Sequence, residues 1–255
     1  MDDRDLVKVA MNLEKTASGI EGTERLVKSY YEEWWENRRD IRNVVFERLN
    51  DKVRSMIGSA QNLRALDLGS GKGRIVSMLL NAGAEVTAIE YNETFALELR
   101  RRYPEVEVVC ADLRTWEPKS EYDIATCIEV AQVLDQTELV GLLRRLRPFV
   151  RRLLINVSNS KSLHGTWVRV RRFQAPFIVS YHSRDLMKCL RGAGYTVTHT
   201  VGVGFITPIS MFREFRVAIV GRRLSEGLQW LDDRFPQLCH LFMAEAVPDR
   251  SEEAW

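Results

Sequence analysis

The order of apolar and polar positions between residues 64 and 201 predicts strands that alternate with helices. Short runs of Val, Ile, Leu and Ala are each followed by a stretch in which apolar residues recur every three or four positions. Six runs are predicted to be strands, and they cover residues 65–68, 85–90, 106–110, 122–128, 153–157 and 195–201. Strands that alternate with helices form a parallel sheet with helices on both faces, so the predicted fold class is α/β with a Rossmann-like sheet.

Two amphipathic stretches precede this pattern, at residues 23–35 and 41–57. The first carries four large apolar side chains at helical spacing, which are Leu26, Tyr30, Trp34 and Trp35. Such a stripe is usually core packing, but this one has more aromatic surface than a short helix needs for docking. We therefore expect residues 1–58 to form a helical cover, with Tyr30 and Trp34 against a bound ligand, and residues 59–255 to form the main domain.

Two segments are too long for ordinary connections between a strand and its neighbour. They span residues 158–182 and 203–235. A loop of this length inside a compact domain is uncommon unless it has a function, so we expect each to be a lid or a substrate wall. Ser183 is predicted to cap a helix over residues 185–191, and an alternating run at 238–247 is predicted to be the last strand.

A glycine-rich turn follows the first predicted strand, in the sequence RALDLGSGKGR at residues 64–74. Its turn residues are Gly69, Ser70, Gly71 and Gly73. Glycines let the backbone approach a ligand, and the next helix offers unpaired N–H groups at its start. The dinucleotide fingerprint has a glycine where this chain has Arg74. Asp67 would also repel a pyrophosphate and attract an ammonium, so the expected ligand is cationic at this end.

Acids also follow the next strands at the edge where parallel strands end. Glu90 closes the second predicted strand, where a carboxylate can accept both hydroxyls of a ribose. Asp112 and Leu113 follow the third, and Glu129 follows the fourth. The alternatives are a surface charge at Glu90 and an Asx turn at Asp112. Glu90 alone does not distinguish NAD from another ligand that carries a ribose.

The spacing of these residues resembles the class I S-adenosylmethionine-dependent methyltransferases over residues 63–201. The likeness is closest to the small-molecule branch of ubiquinone-methyltransferase-like proteins, because the second strand reads GAEVTAIE and the fourth ends in Glu129 and Val130. The resemblance implies S-adenosylmethionine as cofactor and an antiparallel seventh strand, beside the sixth. It also implies that Asp67 faces the ammonium, that Glu90 binds the ribose and that Asp112 and Leu113 meet the adenine. The remaining implied cofactor contacts are Gly69, Ser70, Gly71, Gly73, Tyr91 and Glu129.

Many relatives continue the Glu-Val pair with an acid and a histidine, but this chain has Ala131, Gln132 and Val133. We therefore expect no metal site and at most a modest role for a protein base. His182, at the inner end of the first long segment, is the candidate catalytic base, and its alternative role is packing before the helix. Cys127 lies inside an apolar run, so a core role is favoured over a nucleophile.

Composition limits the partners. The chain has 37 basic and 35 acidic residues, a net charge of +2, so neither nucleic acid nor a membrane surface is required. The four cysteines show no metal-ligand spacing, and no apolar run reaches the roughly 18 residues of a membrane span. We expect a cytoplasmic protein with a small-molecule substrate, and a homodimer stays open.

The predicted function is methyl transfer from S-adenosylmethionine to an O, N or C atom of a small, largely hydrophobic or aromatic metabolite. Two alternatives stay open. The chain could be a non-catalytic, regulatory S-adenosylmethionine-binding protein, or it could methylate RNA or protein. Aminopropyl transfer on the same fold is disfavoured, because no acidic polyamine motif is visible.

Overall fold

The computed structural model describes residues 42–162, 165–166, 179, 181–205, 227 and 229–249. The described helices are α1 (Arg42–Ile57), α2 (Arg74–Asn81), α3 (Glu93–Arg102), α4 (Gln136–Leu146), α5 (Ser183–Gly192) and α6 (Trp230–Arg234). The described strands are β1 (Arg64–Leu68), β2 (Glu85–Glu90), β3 (Glu107–Cys110), β4 (Ile124–Cys127), β5 (Leu153–Ser158), β6 (Tyr195–Val203) and β7 (Leu241–Pro248). Short 3₁₀ turns lie at Ala131–Val133 and Pro236–Leu238. The six strands predicted between residues 64 and 201 and the last strand are therefore confirmed, with ends that differ by up to three residues.

The seven strands form one sheet in the order β3-β2-β1-β4-β5-β7-β6. Strands β1 to β5 pair in parallel, and β7 runs antiparallel to both β5 and β6. The predicted fold class, an α/β Rossmann-like sheet with an antiparallel seventh strand beside the sixth, is confirmed. A dinucleotide-binding sheet has the order 3-2-1-4-5-6, without a strand between the fifth and the sixth. The position of β7 therefore separates this sheet from the NAD-binding arrangement.

Two apolar layers, one on each face of the sheet, hold the domain together. Helix α1 joins one of them through Val45, Leu49, Val53 and Ile57, which recur every four residues and are at most 3% exposed. Burial of each such side chain stabilises the fold by about 1.5 to 3 kcal/mol. The last helix of the predicted N-terminal cover is thus part of the core, and the rest of the cover, with Tyr30 and Trp34, lies outside the described residues. The division into residues 1–58 and 59–255 stays a prediction.

The start of α5 differs from the prediction that Ser183 caps it. The N-cap is His182, and the Asp185 carboxylate accepts a hydrogen bond from the His182 N–H at 3.0 Å. Ser183 is instead the first helical residue, and its hydroxyl donates to the Gln237 carbonyl. The Ser183 hydroxyl, which the predicted cap required, is therefore used in a tertiary hydrogen bond instead.

Both long segments begin at well-ordered anchors. Asn159 pairs with Tyr181 in a parallel bridge, and the Tyr181 carbonyl accepts from the Ser160 N–H at 2.8 Å. The second segment starts where the N–H groups of Gly204 and Phe205 donate to the buried Asp232 carboxylate. Arg48 of α1 adds a salt bridge to that carboxylate at 3.5 Å. Most of both insertions, including Trp167 and Arg169, lies outside the described residues.

Within the ranges given above, no helix is long and apolar enough to cross a membrane. The same ranges hold no group of three or more metal-ligating side chains.

Candidate active site

Four of the predicted site residues, all of them acids, lie at one edge of the sheet. Strands β1 to β5 are parallel, so their carboxyl ends meet at this edge and carry Asp67, Glu90, Asp112 and Glu129. Ligands of open α/β sheets bind in the crevice outside these ends. The structure therefore brings together acids that are up to 62 residues apart in the sequence.

The glycine turn after β1 has a backbone shape that requires glycine at position 69. The N–H groups of Gly69 and Ser70 both donate to the Ile89 carbonyl, and the Ser70 hydroxyl donates to the Asp67 carbonyl at 3.1 Å. Gly69 has a φ of 71°, and a Cβ there would come within 2.5 Å of the Val130 side chain. Only glycine fits, because any larger residue would be strained and would clash.

Asp67 is the least satisfied polar group of the site. It is 1% exposed, and its Oδ1 accepts a hydrogen bond from the Thr126 hydroxyl at 2.7 Å. Its Oδ2 is buried without any hydrogen-bond partner among the described residues. Burial raises the pKa of this carboxyl to about 6. A buried oxygen without a donor costs free energy, so the site is arranged to receive a donor, and an ammonium group fits.

Glu90 connects the second strand to the glycine turn. Its Oε2 accepts from the Gly71 N–H at 2.6 Å, and its Oε1 accepts from the Asn92 N–H at 2.7 Å. Burial raises the pKa of this carboxyl, against the effect of these backbone donors. Each carboxylate oxygen has a further lone pair, so the pair of oxygens can still accept two ribose hydroxyls. Tyr91 follows directly and is half-buried.

Asp112 has the Asx-turn contacts that were its alternative role. Its carboxylate accepts from the Arg114 N–H at 2.9 Å and forms a salt bridge with the Arg114 guanidinium at 2.8 Å. Leu113 is buried, and its carbonyl accepts from Arg145 at 2.7 Å. The turn is thereby fixed beside β3. An adenine contact at Asp112 and Leu113 stays a prediction.

Glu129 adopts an unusual backbone conformation just past β4. Its φ is 65°, in the left-handed region that costs a non-glycine residue about 1 to 2 kcal/mol. The side chain of Asn156, which is fully buried, stabilises this turn from both sides: it accepts from the Glu129 N–H at 2.6 Å and donates to the Glu129 carboxylate. Such strain at the edge that binds ligands is typical of functional positions.

Two side chains extend this arrangement toward β5. The amide of Gln132 donates to the Glu129 carbonyl at 3.4 Å and accepts from the Ser158 hydroxyl at 3.2 Å. Gln132 and Val133 stand where many relatives have an acid and a histidine, and Gln132 is only 8% exposed. Its amide therefore links β4 to β5 at the site.

Arg74 lies at the start of α2, close to two of the acids. Its guanidinium donates to the Asn50 side chain and lies over the Phe46 ring at 5.8 Å, and both residues belong to α1. Burial lowers the pKa of this guanidinium, and the negative charges of Glu129 and Asp67 oppose that effect. Helix α1 thus holds a cation near Asp67 and Glu129.

His182 lies at the same edge, beside the end of β5. Its Nδ1 is 2.7 Å from the Ser160 hydroxyl oxygen. The thiol of Cys127, which was weighed as a nucleophile, is buried: the residue is 1% exposed, and burial raises the pKa of its thiol to about 12. Cys127 is therefore a core residue, as the sequence favoured.

Sequence reasoning missed several residues that shape the site. Thr126, Asn156 and Ser160 hold the acids and His182, and the first two lie within apolar strands. The signal was present, because a polar residue inside a run such as IATC or LLINVS has to find a buried partner. Arg74 was noted only as a departure from the dinucleotide fingerprint.

Part of the chain is similar in sequence to known proteins. Residues 65–152 match a family described as a methyltransferase domain. The chain is 27% identical over 108 residues to a ubiquinone biosynthesis O-methyltransferase of Bordetella avium (strain 197N), over 39% of this chain and 44% of that protein. It is also 30% identical over 137 residues to an L-xylulose reductase of Bos taurus, over 40% of this chain and 55% of that protein. The chain thus spans about half the length of these curated relatives.

A solved structure matches much more of the chain. Magnesium protoporphyrin IX methyltransferase of Synechocystis PCC 6803, crystallised with bound SAH, superposes with a TM-score of 0.64 at 18% identity. The match covers 88% of this chain and 99% of that one. At this identity the likeness is evidence of a common fold alone.

Proposed function

We propose that this chain, which belongs to the class I S-adenosylmethionine-dependent methyltransferases, transfers a methyl group to a small, largely hydrophobic or aromatic metabolite. The observation that carries the proposal is Asp67 Oδ2 at the end of β1, which has no hydrogen-bond partner in the part of the chain that the structure describes. A buried carboxylate oxygen beside a glycine turn suits a cationic ligand group and opposes a pyrophosphate. That distinguishes this cofactor from NAD.

The residues at the sheet edge fit the cofactor group by group. Asp67 would take the ammonium, Glu90 the ribose hydroxyls, and the turn at Asp112 and Leu113 the adenine. S-adenosylmethionine supplies an activated methyl carbon on a sulfonium, and the electron pair of the broken carbon–sulfur bond stays on sulfur. The protein then has to position the acceptor, exclude water and accept a proton where the acceptor carries one.

The acceptor class rests on the composition of the two insertions and on the names of the relatives. The insertions carry aromatic and aliphatic residues together with arginines, which suits a mid-sized hydrophobic molecule with a polar or anionic end. The large apolar residues are Trp167, Phe173, Phe177, Phe205, Ile206 and Met211, and the arginines are Arg169, Arg171 and Arg172. The two methyltransferases compared above are named for ubiquinone biosynthesis and for magnesium protoporphyrin IX.

Cofactor binding is the first experiment. Calorimetric titration of the full chain with S-adenosylmethionine, S-adenosylhomocysteine and NAD should give micromolar-range binding of the first two and none of the third. Asp67→Asn should weaken both by on the order of 1 to 3 kcal/mol, because the buried carboxylate is then lost to the ammonium. Asp123→Asn is the matched control, since Asp123 lies at the opposite, amino end of β4 and accepts from the Arg64 N–H. Tight NAD binding without an S-adenosylmethionine signal would overturn the cofactor assignment.

Turnover decides between an enzyme and a non-catalytic binding protein. Purified chain is incubated with methyl-labelled S-adenosylmethionine and a metabolite extract, and the labelled products are identified by mass spectrometry. We expect label in a hydrophobic ring compound. Label in RNA or protein instead would favour the macromolecular alternative, and cofactor binding with no labelled product in any fraction would favour a regulatory role.

A further inference from the structure

Ser160 and His182 form a hydrogen-bonded pair at the base of the first insertion. Ser160 lies two residues past β5 and is 9% exposed, and His182 is the N-cap of α5. The Ser160 hydroxyl oxygen is 2.9 Å from the Tyr181 carbonyl oxygen and 2.7 Å from the His182 Nδ1. The chain next to His182 is fixed, because Tyr181 is fully buried and its phenol donates to the Leu134 carbonyl at 2.9 Å. The imidazole is therefore held by a rigid part of the chain.

The hydrogen atoms of this pair can be assigned by counting. The Tyr181 carbonyl can only accept, and a serine hydroxyl has a single hydrogen to donate. If that hydrogen pointed at Nδ1, the two oxygens at 2.9 Å would face each other with lone pairs alone. The favourable arrangement has the Ser160 hydroxyl donating to the Tyr181 carbonyl, so the serine oxygen accepts from Nδ1–H. The neutral imidazole then carries its free lone pair on Nε2.

We propose that Ser160 is a positioning residue, which holds His182 in the tautomer whose Nε2 accepts the proton that the methyl acceptor loses. The inference rests on the proposed function and identifies how its proton is handled. A hydroxyl or amine acceptor forms its new bond to the methyl carbon with its own electron pair, and its proton passes to Nε2. The imidazole gains one positive charge and keeps Nδ1–H on Ser160. Among the described residues, no hydrogen bond involves Nε2.

The location supports this role. His182 and Ser160 lie past the carboxyl end of β5, at the sheet edge that carries Asp67 and Glu129. The bonds from Glu129 through Gln132 to Ser158 lead along the same edge to the end of β5. Gln132 and Val133 replace the acid and the histidine that many relatives have after β4. The imidazole of His182, past the end of β5, can accept the proton in place of that histidine.

The tautomer is measurable without any acceptor. In alkaline buffer, where the imidazoles are neutral, long-range ¹H–¹⁵N spectra of the full chain distinguish protonated from unprotonated ring nitrogens. His182 is identified by the signal that disappears in His182→Asn. Asn keeps an N–H group near the Nδ1 position and is a favoured N-cap, so this variant preserves the helix start. We expect a protonated Nδ1 and an unprotonated Nε2, lost in Ser160→Ala and retained in Ser160→Thr. A wild-type signal with protonated Nε2 would overturn the proposal.

The proton role is tested by label transfer from methyl-labelled S-adenosylmethionine to the small molecules of a metabolite extract. His182→Asn should slow transfer by 10² or more, the usual contribution of a general base, which replaces the modest role that the sequence alone led us to expect. Ser160→Ala should slow it roughly tenfold, as expected for one hydrogen bond, and Ser160→Thr should restore it. Calorimetry with S-adenosylmethionine separates the two levels of inference: variants that bind normally and also transfer normally contradict the role of the pair only, whereas a wild-type chain that does not bind contradicts the proposed function itself.

Discussion

Replacing Asp67 by Asn should remove part of the pH dependence of the free energy of unfolding. Burial raises the pKa of the Asp67 carboxyl from 3.8 to about 6. The folded state then binds more protons than the unfolded state between these two values, so the free energy of unfolding falls as pH rises through this window. The full effect is about 3 kcal/mol, since a tenfold change in proton affinity corresponds to about 1.4 kcal/mol. Roughly 2 kcal/mol of it falls between about pH 4.5 and 7.5.

Urea unfolding followed by circular dichroism measures this difference. The free energy of unfolding of Asp67→Asn minus that of the wild type should rise by about 2 kcal/mol from the lower to the higher pH. The constant cost of the new amide next to Thr126 cancels, because only the change with pH is compared. Asp123→Asn serves as the control carboxyl at the other end of the sheet. If the free energies of unfolding of wild type and Asp67→Asn changed in parallel with pH, the inference that burial disfavours the charged form of Asp67 would be refuted.

The remaining predictions concern the glycine turn, Glu90 and the N-terminal segment. Gly69→Ala should lose more stability than Gly58→Ala, because both have a positive φ but only a Cβ at Gly69 meets Val130, at 2.5 Å; urea titrations that give equal losses would contradict the clash. Glu90→Gln should weaken S-adenosylmethionine binding by on the order of 1 to 3 kcal/mol by calorimetry, and an unchanged affinity would mean that the ribose binds elsewhere. Deleting residues 1–40 should leave a folded core with weaker S-adenosylmethionine binding, whereas undiminished binding would reduce the aromatic stripe to packing.

The strand and helix pattern could be predicted because it depends on local periodicity. The runs around β1, β2 and β5 are apolar on both faces, which is the pattern of a buried parallel strand, and glycine and capping residues mark their ends. Gly73 and Asn92 are the N-caps of α2 and α3. The sheet order was available only through the family resemblance, since no local pattern states that β7 lies between β5 and β6.

The acids of the site could also be predicted, because a carboxylate at the end of a parallel strand is visible in the sequence. The partners that these acids have in the folded chain could not be predicted. Whether Asp112 is paired with Arg114, or Asp67 has a partnerless oxygen, depends on which side chains other elements bring to it. The Ser183 cap was wrong for the same reason: its hydroxyl has a partner 54 residues away, at Gln237.

The bridge between Asn159 and Tyr181 has a consequence for how such a protein can diversify. The chain leaves the sheet at Asn159 and returns to it at Tyr181, and this pairing holds the ends of the intervening stretch together. The entropy of closing a loop grows only slowly with its length, by about 0.6 kcal/mol for each doubling. Insertions, deletions and exchanges in this stretch therefore cost the sheet little. Under the proposed function, the acceptor preference can therefore change with these residues, while the strand ends that carry Asp67, Glu90 and Glu129 stay constant.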